Sequence, residues 1–269
     1  MEKFKLTLLG TGNAAVTKCY NTCFAISKKE DCFLIDAGGG NTILAQLEKV
    51  GISLKNIHTI FVTHKHIDHI LGVIWMIRMI CQNMKKGAYE GELTIYAHEE
   101  VIGLLRQMCT DLLQKSQSEL IGKSVHLVTV QDGEERTVLG QKVQFFDIHS
   151  TKAKQFGFTF WLNEEEKLTC CGDEPYNEAE EAYVLGSKWL LHEAFCVFDE
   201  ADIFKPYEKH HSTAKDAAIL AEKLQIRNLV LYHTEDKNLL ERKQRYTKEA
   251  KKYFSGQVFV PEDLEEILL

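Results

Sequence analysis

The sequence has little proline and lacks paired cysteine motifs. Three prolines in 269 residues, and no Pro/Ser/Gly-rich stretch between apolar segments, leave no candidate linker. We therefore expect a single domain covering residues 1–269. The eight cysteines include no CxxC pair, which argues against a small disulfide scaffold and favours a reducing compartment such as the cytosol.

We also expect neither a signal peptide nor a membrane-spanning helix. The start MEKFKLTLLGTGN leads directly into a strand-like run without the apolar core of a signal peptide. The run ILGVIWMIRMI is interrupted by Arg78 and is too short to span a bilayer. We therefore expect a cytoplasmic protein with no membrane partner. A net charge of −7 argues against a protein that holds nucleic acid mainly through phosphate contacts.

Strand-like and helix-like runs alternate in both halves of the chain. Short apolar runs predict strands at KFKLTLLG, TCFAIS, CFLID, IHTIFV, ELTIYA, VHLVTV, KVQFFDIH, GFTFWL, KLTCCGD, KWLLHEAF and NLVLYH. Helical periodicity predicts helices at TILAQLEKV, IDHILGVIWMIRMICQNM, EEVIGLLRQMCTDLLQKS, STAKDAAILAEKL and LLERKQRYTKEAKKYF. This order predicts an α/β fold in which two sheets pack face to face and helices cover them outside.

The stretch THKHIDH, residues 63–69, gathers three histidines and an aspartate directly after the apolar run IHTIFV. Imidazole nitrogens and carboxylate oxygens are the ligands that zinc and similar divalent ions take in proteins. A single histidine here would be read as an ordinary core or surface residue. Four potential ligand residues at the end of a buried strand instead indicate a metal site.

This HxHxDH motif resembles the signature of the metallo-β-lactamase superfamily. Three more potential ligand residues lie where that resemblance requires them, at the ends of the apolar runs VQFFDIH, LTCCGD and NLVLYH. The resemblance implies an α/β fold of the four-layer αββα sandwich type and a centre of two divalent ions, preferably zinc, with manganese or iron as alternatives. The implied metal ligands are His64, His66 and His149 for one ion, Asp68, His69 and His233 for the other, and Asp173 as the bridge.

Two bound cations of this kind indicate hydrolysis. Divalent ions about 3.5–4 Å apart can share a hydroxide, bring its pKa towards neutrality and stabilise the charge that develops on the attacked group. The superfamily resemblance alone leaves β-lactams, thioesters, phosphodiesters and redox substrates open, because a fold does not determine a function.

Two later stretches resemble one branch of the superfamily, the ribonuclease Z-type phosphodiesterases. LLHEAF at 190–195 and HHSTAKDAA at 210–218 are similar to the HEAxF and HST motifs of that branch. The resemblance implies that Glu193 pairs with His211 and that the histidine protonates the leaving oxygen. The expected catalytic residues are therefore Asp68, Glu193 and His211. Thr213 and Asp216 also predict a helix start whose N–H groups could receive a phosphate oxygen.

The chain departs from ribonuclease Z in ways that bear on the substrate. It has 23 residues between His149 and Asp173, which is enough for a hairpin but not for the long tRNA-binding arm of that family. Glu235 and Asp236 follow the last histidine and would repel a polyanion, although Lys237 partly offsets them. Two phosphodiester substrates remain open: RNA, such as a tRNA precursor, and a small or cyclic phosphodiester. A thioester hydrolase like glyoxalase II is the alternative, and a homodimer is implied by the family alone.

Overall fold

The computed structural model describes residues 3–269, which form two compact units. Among the described residues, the first unit contains residues 3–10, 21–131 and 264–269, and the second contains residues 11–20 and 132–263. Each unit is built around one seven-stranded mixed sheet that carries helices. The expectation of a single domain stays a prediction.

The strands and helices follow the predicted alternation closely. The strands, in chain order, are β1 (Lys5–Gly10), β2 (Cys23–Lys28), β3 (Asp31–Ile35), β4 (Ile57–Phe61), β5 (Leu93–Ala97), β6 (Val125–Thr129), β7 (Glu135–Val138), β8 (Gln141–Asp147), β9 (Phe156–Trp161), β10 (Lys167–Cys170), β11 (Trp189–Glu193), β12 (Asn228–Tyr232), β13 (Gln257–Phe259) and β14 (Glu266–Leu268). The helices are α1 (Thr42–Lys49), α2 (Ile67–Lys85), α3 (Glu99–Leu112), α4 (Lys115–Ser118), α5 (Glu181–Val184), α6 (Ala201–Phe204), α7 (Ala214–Lys223) and α8 (Leu239–Ala250).

The sheet of the first unit has the order β14-β1-β2-β3-β4-β5-β6. Strands β14 to β3 pair antiparallel, whereas β3 to β6 pair parallel through helical crossovers. The central strands are buried, because their apolar side chains face packed neighbours on both sides of the sheet. The carboxyl ends of β3 and β4 lie side by side, which places the residues that follow each strand at one edge of the sheet.

The sheet of the second unit has the order β13-β12-β11-β10-β9-β8-β7. Strands β7 to β10 form an antiparallel meander, and β10 to β13 pair parallel. Helix α7 packs its alanine face with β11 and β12, in a core that includes Ala217, Ala218, Ala221 and Leu229. The antiparallel pair β9–β10 is the hairpin expected in place of a long arm.

Three strands of the structure were not predicted. Strand β7 reads ERTV and is mostly exposed, so it lacks the apolar alternation from which strands are recognised. Strands β13 and β14 have three residues each and lie at sheet edges. Their pairing depends on a neighbouring strand and not on a periodic pattern of their own.

Candidate metal centre and proton donor

In the first unit, the carboxylate of Asp36 organises the THKHIDH loop. Asp36 Oδ1 accepts the N–H of Thr63 at 2.9 Å, and Oδ2 accepts the Thr63 hydroxyl at 2.7 Å. Oδ2 also lies 2.8 Å from Nδ1 of His69. A carboxylate accepts hydrogen bonds, so Nδ1 of His69 carries the proton and its Nε2 carries the lone pair that a metal requires.

The same reasoning assigns the tautomer of His64. The single hydroxyl proton of Thr63 is donated to Asp36, so Thr63 Oγ1 accepts from Nδ1 of His64 at 2.9 Å. This leaves the lone pair of His64 on Nε2. Asp36 therefore sets the ligand nitrogens of two histidines, one directly and one through Thr63, as outer-shell carboxylates do in metal sites.

Ligand atoms in this loop lie in pairs with the spacing of a coordination sphere. His64 Nε2 is 2.9 Å from His66 Nδ1, and His69 Nε2 is 3.4 Å from Asp68 Oδ2. Two ligands at 2.0–2.1 Å from a tetrahedral ion are separated by about 3.3 Å. The His69–Asp68 pair matches that separation and the His64–His66 pair is somewhat shorter, so the residues fit divalent ions.

A close contact between α2 and the turn after β3 holds the loop in place. The N–H of Gly72 donates to Gly38 O at 2.8 Å, and the N–H of Ala37 donates to His69 O at 3.1 Å. A Cβ atom at position 72 would lie 1.8 Å from Ala37 O. The absence of a side chain at Gly72 therefore allows the first turn of α2 to approach Asp36.

In the second unit, two of the predicted ligands lie together. His233 Nε2 is 3.5 Å from Asp173 Oδ2, and both side chains are buried. The hydroxyl of Tyr232 donates to Gly172 O, so the residues directly before the two ligands are joined. This pair also has the spacing of two ligands on one ion.

His149 is placed differently from the other predicted ligands. Its side chain is exposed, and its N–H donates to Asp147 Oδ1 at 2.8 Å. Within residues 3–269 it belongs to no group of three close ligand atoms. Its assignment as a ligand stays a prediction.

Three of the strand ends in the two units use left-handed backbone conformations. Asp36, His149 and His233 have φ values of 54°, 53° and 58°. Non-glycine residues seldom adopt positive φ, although Asp and His tolerate it better than most. Such residues concentrate at functional sites, and here each one turns the chain sharply at the end of a strand.

Glu193 and His211 face each other in the second unit. Glu193 ends β11 and is fully buried, and its Oε2 lies 3.5 Å from Nδ1 of His211. Its Oε1 accepts the N–H of Ser212. Neither Glu193 Oε2 nor His211 Nδ1 has a hydrogen-bond partner in the part of the chain that the structure describes. A buried carboxylate beside an imidazole is suited to a proton donor, and such contacts often shorten when substrate binds.

The predicted helix start at Thr213 is confirmed, but its expected phosphate-binding role is wrong. Thr213 and Asp216 form a capping box, with Thr213 N–H donating to Asp216 Oδ2 at 2.9 Å. The next N–H groups donate to Cys196 O at 3.0 Å and to Glu249 Oε2 at 3.0 Å. The N–H groups at the start of α7 are thus already used within the protein.

A pocket of about 280 Å³ in the second unit lies beside His211. The carboxylate of Glu174 joins two of its walls, since it accepts from Ser150 Oγ at 2.7 Å and from the N–H of Thr151 at 3.2 Å. Thr151 Oγ1 in turn lies 2.9 Å from Nδ1 of His210. The lining side chains include His149, Thr151, Glu174, Tyr207, His210 and His211.

Sequence reasoning missed Asp36, Thr63 and Glu174. The sequence did carry a signal for Asp36, because this residue follows an apolar strand, as Asp173 does. Three glycines come after it. Thr63 and Glu174 carry no such signal. They act through hydrogen bonds to residues that the fold brings near.

The fold and site together define a metallo-β-lactamase-type α/β sandwich, as predicted. The structure resembles the metallo-β-lactamase fold protein YhfI from Bacillus subtilis, with a TM-score of 0.80, 17% identity and full coverage of both chains. It also resembles a diphosphatase of the PhnP family, with a TM-score of 0.73 and 17% identity over 99% of this chain and 97% of the other. These likenesses establish the fold.

Residues 4–257 match the model of the family described as anti-Pycsar protein Apyc1. The chain belongs to this family. It is also similar to ribonuclease Z of Parabacteroides distasonis, at 23% identity over 98% of this chain and 99% of that protein. The resemblance to a ribonuclease Z-like branch without the long arm and the prediction of a metal-dependent hydrolase are confirmed.

No helix among residues 3–269 combines the length and the apolar character needed to cross a membrane. The expected cytoplasmic location stays a prediction.

Proposed function

We propose that this protein hydrolyses phosphodiesters with two divalent metal ions and a histidine proton donor. The proposal rests on one observation above all: ligand atoms lie in pairs at 2.9, 3.4 and 3.5 Å within the two units, each pair after a strand or in the first helical turn that follows one. The proposed ligands are those that the resemblance implies, namely His64, His66 and His149 for one ion, Asp68, His69 and His233 for the other, and Asp173 as the bridge.

Metal ions bound to these ligands would lower the pKa of a coordinated water and neutralise the phosphoryl oxygens. The protein supplies the remaining steps. Asp68 would accept a hydrogen bond from the attacking water and so help to orient it towards phosphorus. His211 donates a proton to the leaving alkoxide, and the buried carboxylate of Glu193 lies 3.5 Å from its Nδ1.

A small phosphodiester is the substrate that the second unit favours. The pocket beside His211 is about 280 Å³, at the lower end of the usual size for small-molecule sites. The hairpin β9–β10 supplies no arm to hold a tRNA. The loop after His233 is acidic, and Glu235 and Asp236 are both held in place there by backbone N–H groups.

RNA is the second candidate, because similar proteins such as that of Parabacteroides distasonis are named ribonuclease Z. A substrate panel on zinc-reconstituted protein separates the two. We expect a small or cyclic nucleotide diester to be cleaved with a larger kcat/KM than a precursor tRNA. The reverse order would assign RNA as the substrate. Faster turnover of lactoylglutathione than of any diester would indicate a thioester hydrolase instead, and tight nucleotide binding without turnover would indicate a non-catalytic relative.

The metal requirement is tested separately. Dialysis against a chelator should abolish diester hydrolysis, and added Zn²⁺ should restore it, with Mn²⁺ and Fe²⁺ compared in parallel. His64→Ala should lower the metal content measured by atomic spectroscopy. His126→Ala is a matched control in the same unit, because His126 is half-exposed and pairs with Glu92 at 3.1 Å, away from the THKHIDH loop. Full metal content in His64→Ala would contradict the ligand assignment. A homodimer remains a prediction.

A further inference from the structure

The ring of Phe195 stacks on the imidazole of His211. The ring centroids are 4.8 Å apart and the planes differ by 13°, a separation at which aromatic pairs attract each other. A neighbouring ring in this offset-stacked arrangement hinders rotation of the imidazole about its Cβ–Cγ bond. The stack therefore sets the plane of the His211 ring.

The pairing with Glu193 does not hold that ring by itself. The 3.5 Å between Glu193 Oε2 and His211 Nδ1 is longer than an ordinary hydrogen bond from nitrogen to oxygen. A carboxylate at that distance attracts the imidazole without restricting its orientation. The Phe195 ring supplies a further contact, one that restricts rotation of the imidazole.

Phe195 is itself held firmly. Its N–H donates to Ser212 O at 2.9 Å, and its carbonyl oxygen accepts from the N–H of Glu235 at 2.9 Å and from the Tyr246 hydroxyl at 3.2 Å. The side chain is buried, and Lys209 Nζ lies 4.9 Å from the ring centroid. Because the backbone is fixed from three segments, the ring is a rigid surface against which His211 can pack.

We infer that Phe195 is a positioning residue for proton donation by His211, which rests on the proposed function. The face contact orients the imidazole so that Nδ1 meets Glu193 and the other ring nitrogen delivers the proton to the leaving oxygen. The HEAxF motif does not specify this residue. It places phenylalanine two positions after the alanine, where this chain has Cys196, whereas Phe195 follows Ala194 directly.

The chain offers a matched control in Phe204. Phe195 and Phe204 belong to the same small hydrophobic cluster and are each 8% exposed. Each has a lysine ammonium over its ring, with Lys237 Nζ 5.0 Å from the Phe204 centroid. Among the described residues, however, Phe204 has no ring contact with a histidine. A leucine at either position removes similar packing, but the change at 195 alone removes the stack on His211.

The test compares Phe195→Leu and Phe204→Leu with two diesters that differ in the leaving group. An alkyl leaving group needs a proton, whereas 4-nitrophenolate does not. We expect Phe195→Leu to lower kcat for the alkyl ester about tenfold, the order of loss for one aromatic pair, and to change kcat for the aryl ester less than twofold. Phe204→Leu should change both less than twofold. Phe195→Tyr, which keeps the ring, should restore the alkyl ester rate.

A readout independent of activity completes the test. The Phe195 ring current should shift the His211 ring protons upfield in the NMR spectrum of the wild type. The shift should vanish in Phe195→Leu and remain in Phe204→Leu. Phe195→Met, of similar volume, replaces the leucine variant if that variant does not fold.

Three results would overturn the inference: an equal loss with both esters, an equal loss in Phe204→Leu, or His211 resonances that do not move in Phe195→Leu. If the wild type cleaves neither ester, the proposed function has failed. The NMR shift then decides the positioning on its own, since its loss supports the contact and its persistence refutes it.

Discussion

The Nδ1 atom of His69 lies 2.8 Å from Oδ2 of Asp36, with both side chains buried. The two residues are 33 positions apart in the sequence and come together because β3 and β4 are parallel neighbours. This contact determines which nitrogen of His69 can bind a metal ion.

The first prediction concerns Asp36. Asp36→Asn keeps the shape of the side chain but removes the charge that holds Nδ1–H of His69 and the Thr63 hydroxyl. We expect zinc affinity to fall about 10- to 100-fold, as for other outer-shell partners, measured by competition with a chromophoric chelator. Asp31→Asn, at the exposed start of the same strand, is the control. Equal affinities in the two variants would rule out the role of Asp36.

The second prediction concerns His211. His211→Ala removes the proposed proton donor without removing a proposed metal ligand. The zinc content should stay at the wild-type value, and cleavage of a diester with an alkoxide leaving group should fall about 10²- to 10⁴-fold. Cleavage of a 4-nitrophenyl ester should change little, because that leaving group departs without a proton. An undiminished rate with the alkoxide ester would remove His211 from the mechanism.

The third prediction concerns Gly72. A Cβ atom in Gly72→Ala would lie 1.8 Å from Ala37 O, so α2 must move away from the turn after β3. We expect a loss of about 1–3 kcal/mol in the free energy of unfolding, together with weaker zinc binding. Gly103→Ala is the matched control, since it lies in α3 with nothing within 4 Å of the added atom. That change should stabilise the protein by about 0.5–1 kcal/mol. Urea unfolding gives both values, and similar values for the two variants would contradict the close approach.

The fourth prediction is a pH dependence of stability that arises from Glu180. Burial raises the pKa of Glu180 from 4.5 to about 8 in the folded protein. Between these values the folded state keeps a proton that the unfolded state has released, so the contribution of Glu180 to stability is greatest below pH 4.5 and is lost as the pH rises towards 8. Glu180→Gln should remove this loss, which is at most about 5 kcal/mol.

Urea unfolding of wild type and Glu180→Gln at pH 5 and pH 8 measures the effect. The glutamine can still accept the N–H of Asn177, which Glu180 Oε1 accepts at 2.8 Å. The variant should be more stable than the wild type at pH 8 and differ less at pH 5. A constant difference at both pH values would show that Glu180 does not titrate as expected.

Much of the fold could be read from the sequence because the buried elements carry strong patterns. The run IHTIFV became β4, and IDHILGVIWMIRMICQNM became α2. The prediction failed for β7, β13 and β14, which are short or polar edge strands. Such strands are specified by the neighbours they pair with, so a local pattern does not reveal them.

The sequence by itself determined the kinds of ligand and their places at strand ends, because apolar periodicity and turn residues are local properties. THKHIDH, LTCCGD and NLVLYH were recognisable for that reason. The tertiary structure decided what surrounds those ligands: the tautomers set by Asp36 and Thr63, the approach of α2 at Gly72, and the ring of Phe195 against His211. These depend on distances between residues far apart in the chain, which arise when the sheets and helices pack.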